Sequence, residues 1–235
     1  AEVAAAIDEA YMPRFAGDAI APSPLGRVLA IAERLDTVVG GFAAGLKPTG
    51  NKDPFALRRN ALGLARTLIE GGFELDLPAL LAKAASLLPA GLSVEAGELR
   101  DFVLDRLRGY YADQGVPGTQ FDAVADVRPP SLLDFDKRLK AIAEFAKLRE
   151  AASLAAANKR IRNILRKAED AVPATVQDAL LVEPAEHALH KALVAALAET
   201  DPLLAARDYV GTLKRLAQLQ APVDNFFDRT MVMAE

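Results

Sequence analysis

Apolar residues recur along most of the chain at intervals of three and four, and clean period-2 runs of β-branched residues are missing. That period predicts helices throughout. Ser23-Pro24 reads as an N-cap followed by a first-turn proline. It opens a helix whose buried stripe is expected to be Leu25, Val28, Leu29, Ala32, Leu35 and Val39, with its end near Gly40-Gly41. Asp53-Pro54 repeats the device ahead of Phe55 to Glu70, which Gly71-Gly72 should close. A short helix is predicted from Leu77 to Leu88, with Pro78 in its first turn. Ser93 is the expected cap of a longer one running to Tyr111 or Gln114, where Gly115 and Pro117 stop it.

Arg128-Pro129-Pro130-Ser131 is the best candidate boundary, because a proline pair forbids helix continuation and Ser131 can cap the next helix. Domains over 1–128 and 129–235 are therefore expected. Beyond the prolines, Leu132 to Arg149 and Ala152 to Ala168 read as two basic helices, or one helix with a break. Glu183-Pro184 should open a helix to about Glu199, Asp201-Pro202 another to about Gln220, and Pro222 a short final segment containing Phe226 and Phe227. There is no internal repeat and no low-complexity linker. The expected class is all-α, in two helical domains.

Composition adds exclusions. The 235 residues are 51% hydrophobic and 26% charged, enough to bury a core. The absence of Cys excludes a disulfide scaffold, a thiol nucleophile and a thiolate zinc site, and suits the cytoplasm. The longest charge-free stretch, Ala84 to Val94, is about half of the roughly 20 residues needed to span a bilayer, so no membrane partner is expected. A first residue that is not Met, and an end at Met231-Val232-Met233-Ala234-Glu235 in mid-pattern, suggest a piece of a longer chain. The net charge is −4, yet Lys137 to Lys167 holds ten Lys and Arg against Glu144 and Glu150. A basic block inside an acidic chain points to a local polyanion-binding face.

Enzymatic constellations are weak. His187 and His190 lie three apart on a predicted helix and make at best half a metal site, with Glu183 and Glu186 the acids at helical spacing. Glu33 and Asp36 form a similar acidic pair, able to hold a divalent ion or simply to face solvent. Lys47-Pro48-Thr49-Gly50-Asn51-Lys52-Asp53-Pro54 leads into a helix N-terminus, where free N–H groups favour anions. It lacks the Walker spacing, and a capped turn with Asp53 pairing to Arg fits as well. Arg58 and Arg59 add positive charge there. Within the basic block, Ile161, Ile164 and Leu165 define an expected buried stripe. Asn158, Arg162 and Arg166 then recur along one face, with Lys159, Asn163 and Lys167 beside it and Arg160 in the same run. Arg and Asn together supply charge for phosphates and paired donors and acceptors for base edges. A solvated face, or docking of an acidic protein partner, remains open on these residues alone. Tyr110-Tyr111 and Phe226-Phe227 offer stacking surfaces or core anchors.

These segments together resemble a known family. Lys47-Pro48-Thr49-Gly50-x-Lys52-Asp53-Pro54-Phe55-Ala56-Leu57-Arg58-Arg59 is similar to the signature of the β subunit of bacterial tetrameric glycyl-tRNA synthetases. Ala157-Asn158-Lys159-Arg160-Ile161-x-Asn163-Ile164-Leu165 agrees, as does Pro222-Val223-Asp224-Asn225-Phe226-Phe227-Asp228-Arg229-x-Met231-Val232-Met233. So do Tyr11-x-Pro13-Arg14-Phe15-Ala16-Gly17-Asp18 and Asp101-Phe102-Val103-Leu104-Asp105-Arg106-Leu107. The resemblance implies the C-terminal part of that subunit: an HD-like helical domain, then a helical-bundle anticodon-binding domain like that of arginyl-tRNA synthetases. It implies an α2β2 glycine–tRNA ligase whose α subunit activates glycine with ATP and Mg. The β subunit recognises glycine tRNA, with no DNA partner. Asn158, Lys159, Arg160 and Asn163 match the anticodon-domain pattern, and Arg162 and Arg166 share their face. Lys47, Lys52, Arg58 and Arg59 match the HD-like pattern as candidate RNA or phosphate contacts. No catalytic residue and no cofactor of this piece's own is implied. Ile20 to Asp36 resembles the last acidic helix of the HD superfamily, but no His-Asp doublet occurs, so the metal-dependent phosphohydrolase reading stays an alternative.

Overall fold

The computed structural model describes residues 1–167, 172–173 and 175–230. Among these the chain is all-α. Sheet-type pairing is limited to the isolated bridges Thr49–Lys52 and Asp76–Ser131. Residues 1–139 and 140–235 form two compact units, and the division falls inside a helix rather than at Pro129-Pro130.

The first unit holds α1 (Glu2–Glu9), α2 (Pro24–Ala43), α3 (Leu57–Glu70), α4 (Leu77–Ala85), α5 (Ala96–Asp113), α6 (Gly118–Ala125) and the first turns of α7 (Leu132–Phe145). Its core is built on Val38 and Val39 of α2, Leu57, Leu64 and Leu68 of α3, Leu81 of α4, and Leu99, Val103 and Leu107 of α5. The Ser23 cap forms as predicted, its hydroxyl accepting from Gly26 N. The buried stripe of α2 follows the prediction at Leu35 and Val39 but not before them: Leu25, Val28, Leu29 and Ala32 stay exposed, while Gly26, Ala30, Ile31, Arg34, Val38 and Phe42 turn inward with the other two. Close approach decides this. A Cβ on Gly26 would collide with the Glu9 side chain, and one on Gly63 would meet Arg34 Nε at 2.4 Å. Gly41 does not end α2 but admits Leu57, whose methyl carbon a Cβ there would meet at 2.8 Å.

Other boundaries shift for local reasons. α3 begins at Leu57 because Ala56 takes a left-handed conformation (φ 53°). Asp53 nevertheless caps it from a distance, its carboxylate accepting from Leu57 N and Arg58 N at 2.8 and 3.0 Å. Asp76 caps α4 through Ala79 N, and the helix stops at Ala85 rather than Leu88. Glu95, not Ser93, precedes α5. α1 and α6, eight residues each, lack the long periodicity that makes a helix visible in sequence. Leu132, Phe135 and Leu139 of α7 are buried with the first unit, Phe135 lying 4.9 Å from Phe121 and stacked on Tyr111. That packing carries the first unit past the proline pair.

The second unit contains the rest of α7, α8 (Ala151–Lys167), a 3-10 turn at Asp178–Leu180, α9 (Pro184–Ala205), α10 (Tyr209–Ala217) and α11 (Gln220–Arg229). Ala196, Leu219 and Val223 form its core cluster, with Ala157, Leu189, Ala192, Leu216 and Phe227 packed around it. Asp201-Pro202 does not start a helix. α9 runs through Pro202, which sits in the last turn and forfeits a single ladder bond. The break comes at Arg207 (φ 56°), after which Asp208 caps α10 by accepting from Gly211 N at 2.8 Å. Ala168, the predicted end of the basic helix, and Met231 to Glu235 lie outside the described residues.

Candidate nucleic-acid interface

α8 is held to its neighbours by little apolar burial. No residue of it is fully buried, and of the expected stripe Ile161 and Leu165 remain 38% and 49% exposed. The contacts that seat it include Ala157 against the core cluster and Ser153, whose hydroxyl donates to the Asp224 carboxylate of α11 at 3.2 Å. Gln220 Nε2 donates to the same carboxylate. This small-residue attachment leaves the polar side of the helix open.

On that side Ala155, Asn158, Lys159, Arg162, Asn163 and Arg166 line a shallow concavity of about 400 Å³. Five of the six residues expected to meet RNA thus share one surface. Arg166 donates to Asn163 Oδ1 at 3.3 Å, which orients the amide and the guanidinium relative to each other. Arg160 departs from the group: its guanidinium lies 4.0 Å from the centre of the Phe227 ring. Phe227 meets Phe226 edge-on and packs toward the core, so the aromatic pair anchors α11.

A second concavity in this unit, about 460 Å³, is lined by Glu183, Pro184, Ala185, Asn225 and Arg229. Asn225 and Arg229 belong to the C-terminal motif, and nothing in the motif alone marks them as a site. Their four-residue spacing on α11 was the signal available. Glu186 occupies the amides at the start of α9, accepting from Val182 N and Glu183 N at 2.7 and 2.8 Å, and these bonds hold its carboxyl below the usual range.

The basic loop of the first unit is largely engaged with its own protein. Lys47 donates to both oxygens of Glu98 at 2.7 and 2.8 Å, and Arg58 donates to Gly50 O at 2.8 Å. The helix amides that would cradle a phosphate are taken by Asp53. Lys52 and Arg59 are exposed.

The remaining candidates resolve structurally. Tyr111 is buried and donates to Asp136 Oδ1 at 2.8 Å; burial, then the Asp136 charge, push its phenol far up. Tyr110 lies under the Arg66 guanidinium. His190 Nε2 is 3.2 Å from Asp178 Oδ1, and Glu33 accepts from the Thr37 hydroxyl at 3.1 Å. Among the described residues no three His, Asp or Glu converge as a metal-binding group, and no helix is long and apolar enough to cross a membrane. Two buried arginines escaped sequence reasoning. Arg34 donates to the carbonyls of Ala10, Tyr11, Pro13 and Ala30. Arg66 donates to Ala16 O and Glu70.

Comparison with known proteins bears on both units. Residues 1–126 match the family model described as glycyl-tRNA synthetase beta subunit, and residues 154–235 match the DALR anticodon binding domain. The chain is 61% identical to the glycine–tRNA ligase beta subunit of Xanthomonas campestris pv. campestris, over all of this chain and 35% of that protein. It is 50% identical to that of Xylella fastidiosa and 48% to that of Dechloromonas aromatica, again over its full length and over 37% and 33% of theirs. It spans about a third of the length of these curated relatives.

Proposed function

The chain belongs to the glycyl-tRNA synthetase beta-subunit family, and from that premise we propose that it is the RNA-gripping part of a cytoplasmic glycine–tRNA ligase. The observation that carries this reading is the α8 surface, where Asn158, Lys159, Arg162, Asn163 and Arg166 line one concavity inside the span that matches an anticodon-binding domain. Cations there meet phosphates, and the amides of Asn158 and Asn163 offer the paired donor and acceptor that base edges require. The ligand is the anticodon arm of glycine tRNA. The HD-like part, with Lys52 and Arg59 exposed, supplies a lesser contact to the same RNA.

The work of this part is positioning. Binding energy gained far from the reacting ends orients the acceptor end in the active site of the α subunit of an α2β2 assembly. ATP and magnesium serve that partner's chemistry.

The test is fluorescence anisotropy of this chain with labelled glycine tRNA across a salt series. Binding should weaken steeply with salt and survive competition by bulk tRNA. Arg162→Ala with Arg166→Ala should lower affinity at least about tenfold and reduce the salt slope by about two. Unchanged binding in that double variant overturns the reading, as does glycine-dependent pyrophosphate exchange by this chain alone.

A further inference from the structure

The connection between α1 and α2 is fastened from beneath and yet holds an aromatic ring out to water. Arg34 of α2 donates to Ala10 O, Tyr11 O and Pro13 O at 2.9, 3.1 and 3.1 Å, and Arg66 of α3 donates to Ala16 O at 2.6 Å. Asp18 closes the loop by accepting from Arg14 N and Ala19 N at 2.7 and 3.0 Å. Between these anchors Phe15 is 62% exposed. A ring of that area left in water forgoes a large hydrophobic gain, and the bonds beneath it fix the loop in the shape that does so. Phe15 shares a small hollow with Arg59 and Arg66 of α3, and no carboxylate lines it. Two motifs far apart in sequence, Tyr11 to Asp18 and Lys47 to Arg59, thus meet at one surface.

The cations at this surface are matched unequally. Arg66 pairs with Glu70 at 2.6 Å, and Arg34 lies 3.9 Å from Glu33. Arg59 is exposed and has no ion-pair partner among the described residues. Burial, and then the Arg59 charge, lower the proton affinity of Arg34 against the pull of Glu33. The surplus charge is therefore Arg59, beside the ring. Single-stranded RNA fits that pair: every base has a face to stack, and a guanidinium takes the adjoining phosphate. A protein laid over Phe15 would bury Arg59 with it and would have to bring a carboxylate to the same spot. We propose that Phe15 and Arg59 receive an unpaired nucleotide of glycine tRNA, its base stacked on the ring and its phosphate on the guanidinium. The proposal rests on the RNA-binding reading above, but its residues belong to the first unit and not to α8.

Anisotropy of labelled glycine tRNA with the whole chain, across a salt series, tests both side chains. Phe15→Ala and Phe15→Leu should each weaken binding about tenfold with the salt slope unchanged, and Phe15→Trp should keep the parent affinity. Arg59→Gln should weaken binding several-fold and lower the salt slope by about one. The same losses should add to those of Arg162→Ala with Arg166→Ala. Losses in the α8 double variant without losses at Phe15 overturn this proposal and leave the α8 reading standing. Losses at Phe15 and Arg59 without losses on α8 do the reverse. Parent affinity in Phe15→Leu, or an unchanged salt slope in Arg59→Gln, overturns the nucleotide contact and leaves the pair as a face for an acidic protein segment.

Discussion

The two units use arginine in opposite ways. In the first, Arg34 and Arg66 are nearly sealed; backbone carbonyls accept from Arg34, and Ala16 O with the Glu70 carboxylate accept from Arg66, so each guanidinium works as a staple between chain segments. In the second, Arg162 and Arg166 stand on a helix with no fully buried residue and face an open concavity. The cores differ to match. Leucines, valines and phenylalanines pack the first, whereas Ala196, Leu219 and Val223 suffice for the cluster that α8 touches. Charge alone therefore says little about role. A lone arginine within an apolar period serves the fold, and arginines grouped with Asn on a loosely seated helix serve a ligand.

The contrast breaks most visibly at Arg34. Replacing it with Ala leaves the carbonyls of Ala10, Tyr11, Pro13 and Ala30 short of their donor and should cost about 3 kcal/mol or more. Amide exchange across α2 and α3 should report that loss, and protection equal to the parent chain would show that the staple is dispensable. Tyr111→Phe comes next, at about 2 kcal/mol, because the bond to Asp136 is buried and its acceptor is charged. Since the folded phenol titrates above its unfolded value, stability is fully present below the ordinary tyrosine range and falls as pH rises through it. Denaturant titrations at alkaline pH should show that fall in the parent and not in Tyr111→Phe.

Within α8 the contrast can be sharpened residue against residue. Arg160→Ala should cost about 0.5–1 kcal/mol of stability through loss of the Phe227 contact, while Arg162→Ala should cost almost none. RNA affinity should show the reverse order, and equal losses in both variants would erase the distinction drawn between them. The smallest effect concerns the start of α9. Glu186 titrates below its unfolded value, so its support is present above the usual glutamate range and lost as pH falls through the depressed one. Amide protection at Val182 and Glu183 should decline in acid, and Glu186→Gln should flatten that decline.

Much of the architecture was legible because its signals are local. Ser23-Pro24, Glu183-Pro184 and the four-residue recurrence of Asn158, Arg162 and Arg166 each carry their meaning within a turn or two. The losses came where distant residues compete. Leu25, Val28 and Leu29 make an apolar stripe beside the one α2 buries, and Gly26, Gly63 and Arg34 help fix the choice through contacts up to 29 residues apart in sequence. Asp201-Pro202 looks like a helix start, yet the chain turns at Arg207, where no sequence rule placed a break. Arg160 was grouped with the RNA-facing cations because nothing local marks Phe227 as its neighbour.

The amino-acid order by itself determined that this chain is helical, where most helices begin, and that its cations cluster on one stretch. Those properties come from capping, periodicity and composition, which act between residues a few positions apart. Only the tertiary structure decided which face of α2 is inside, which arginines are walled in by carbonyls and which remain free for a ligand. Burial is a property of surfaces brought together from far along the chain, and close approach at a glycine helps decide which of two apolar faces of one helix is covered.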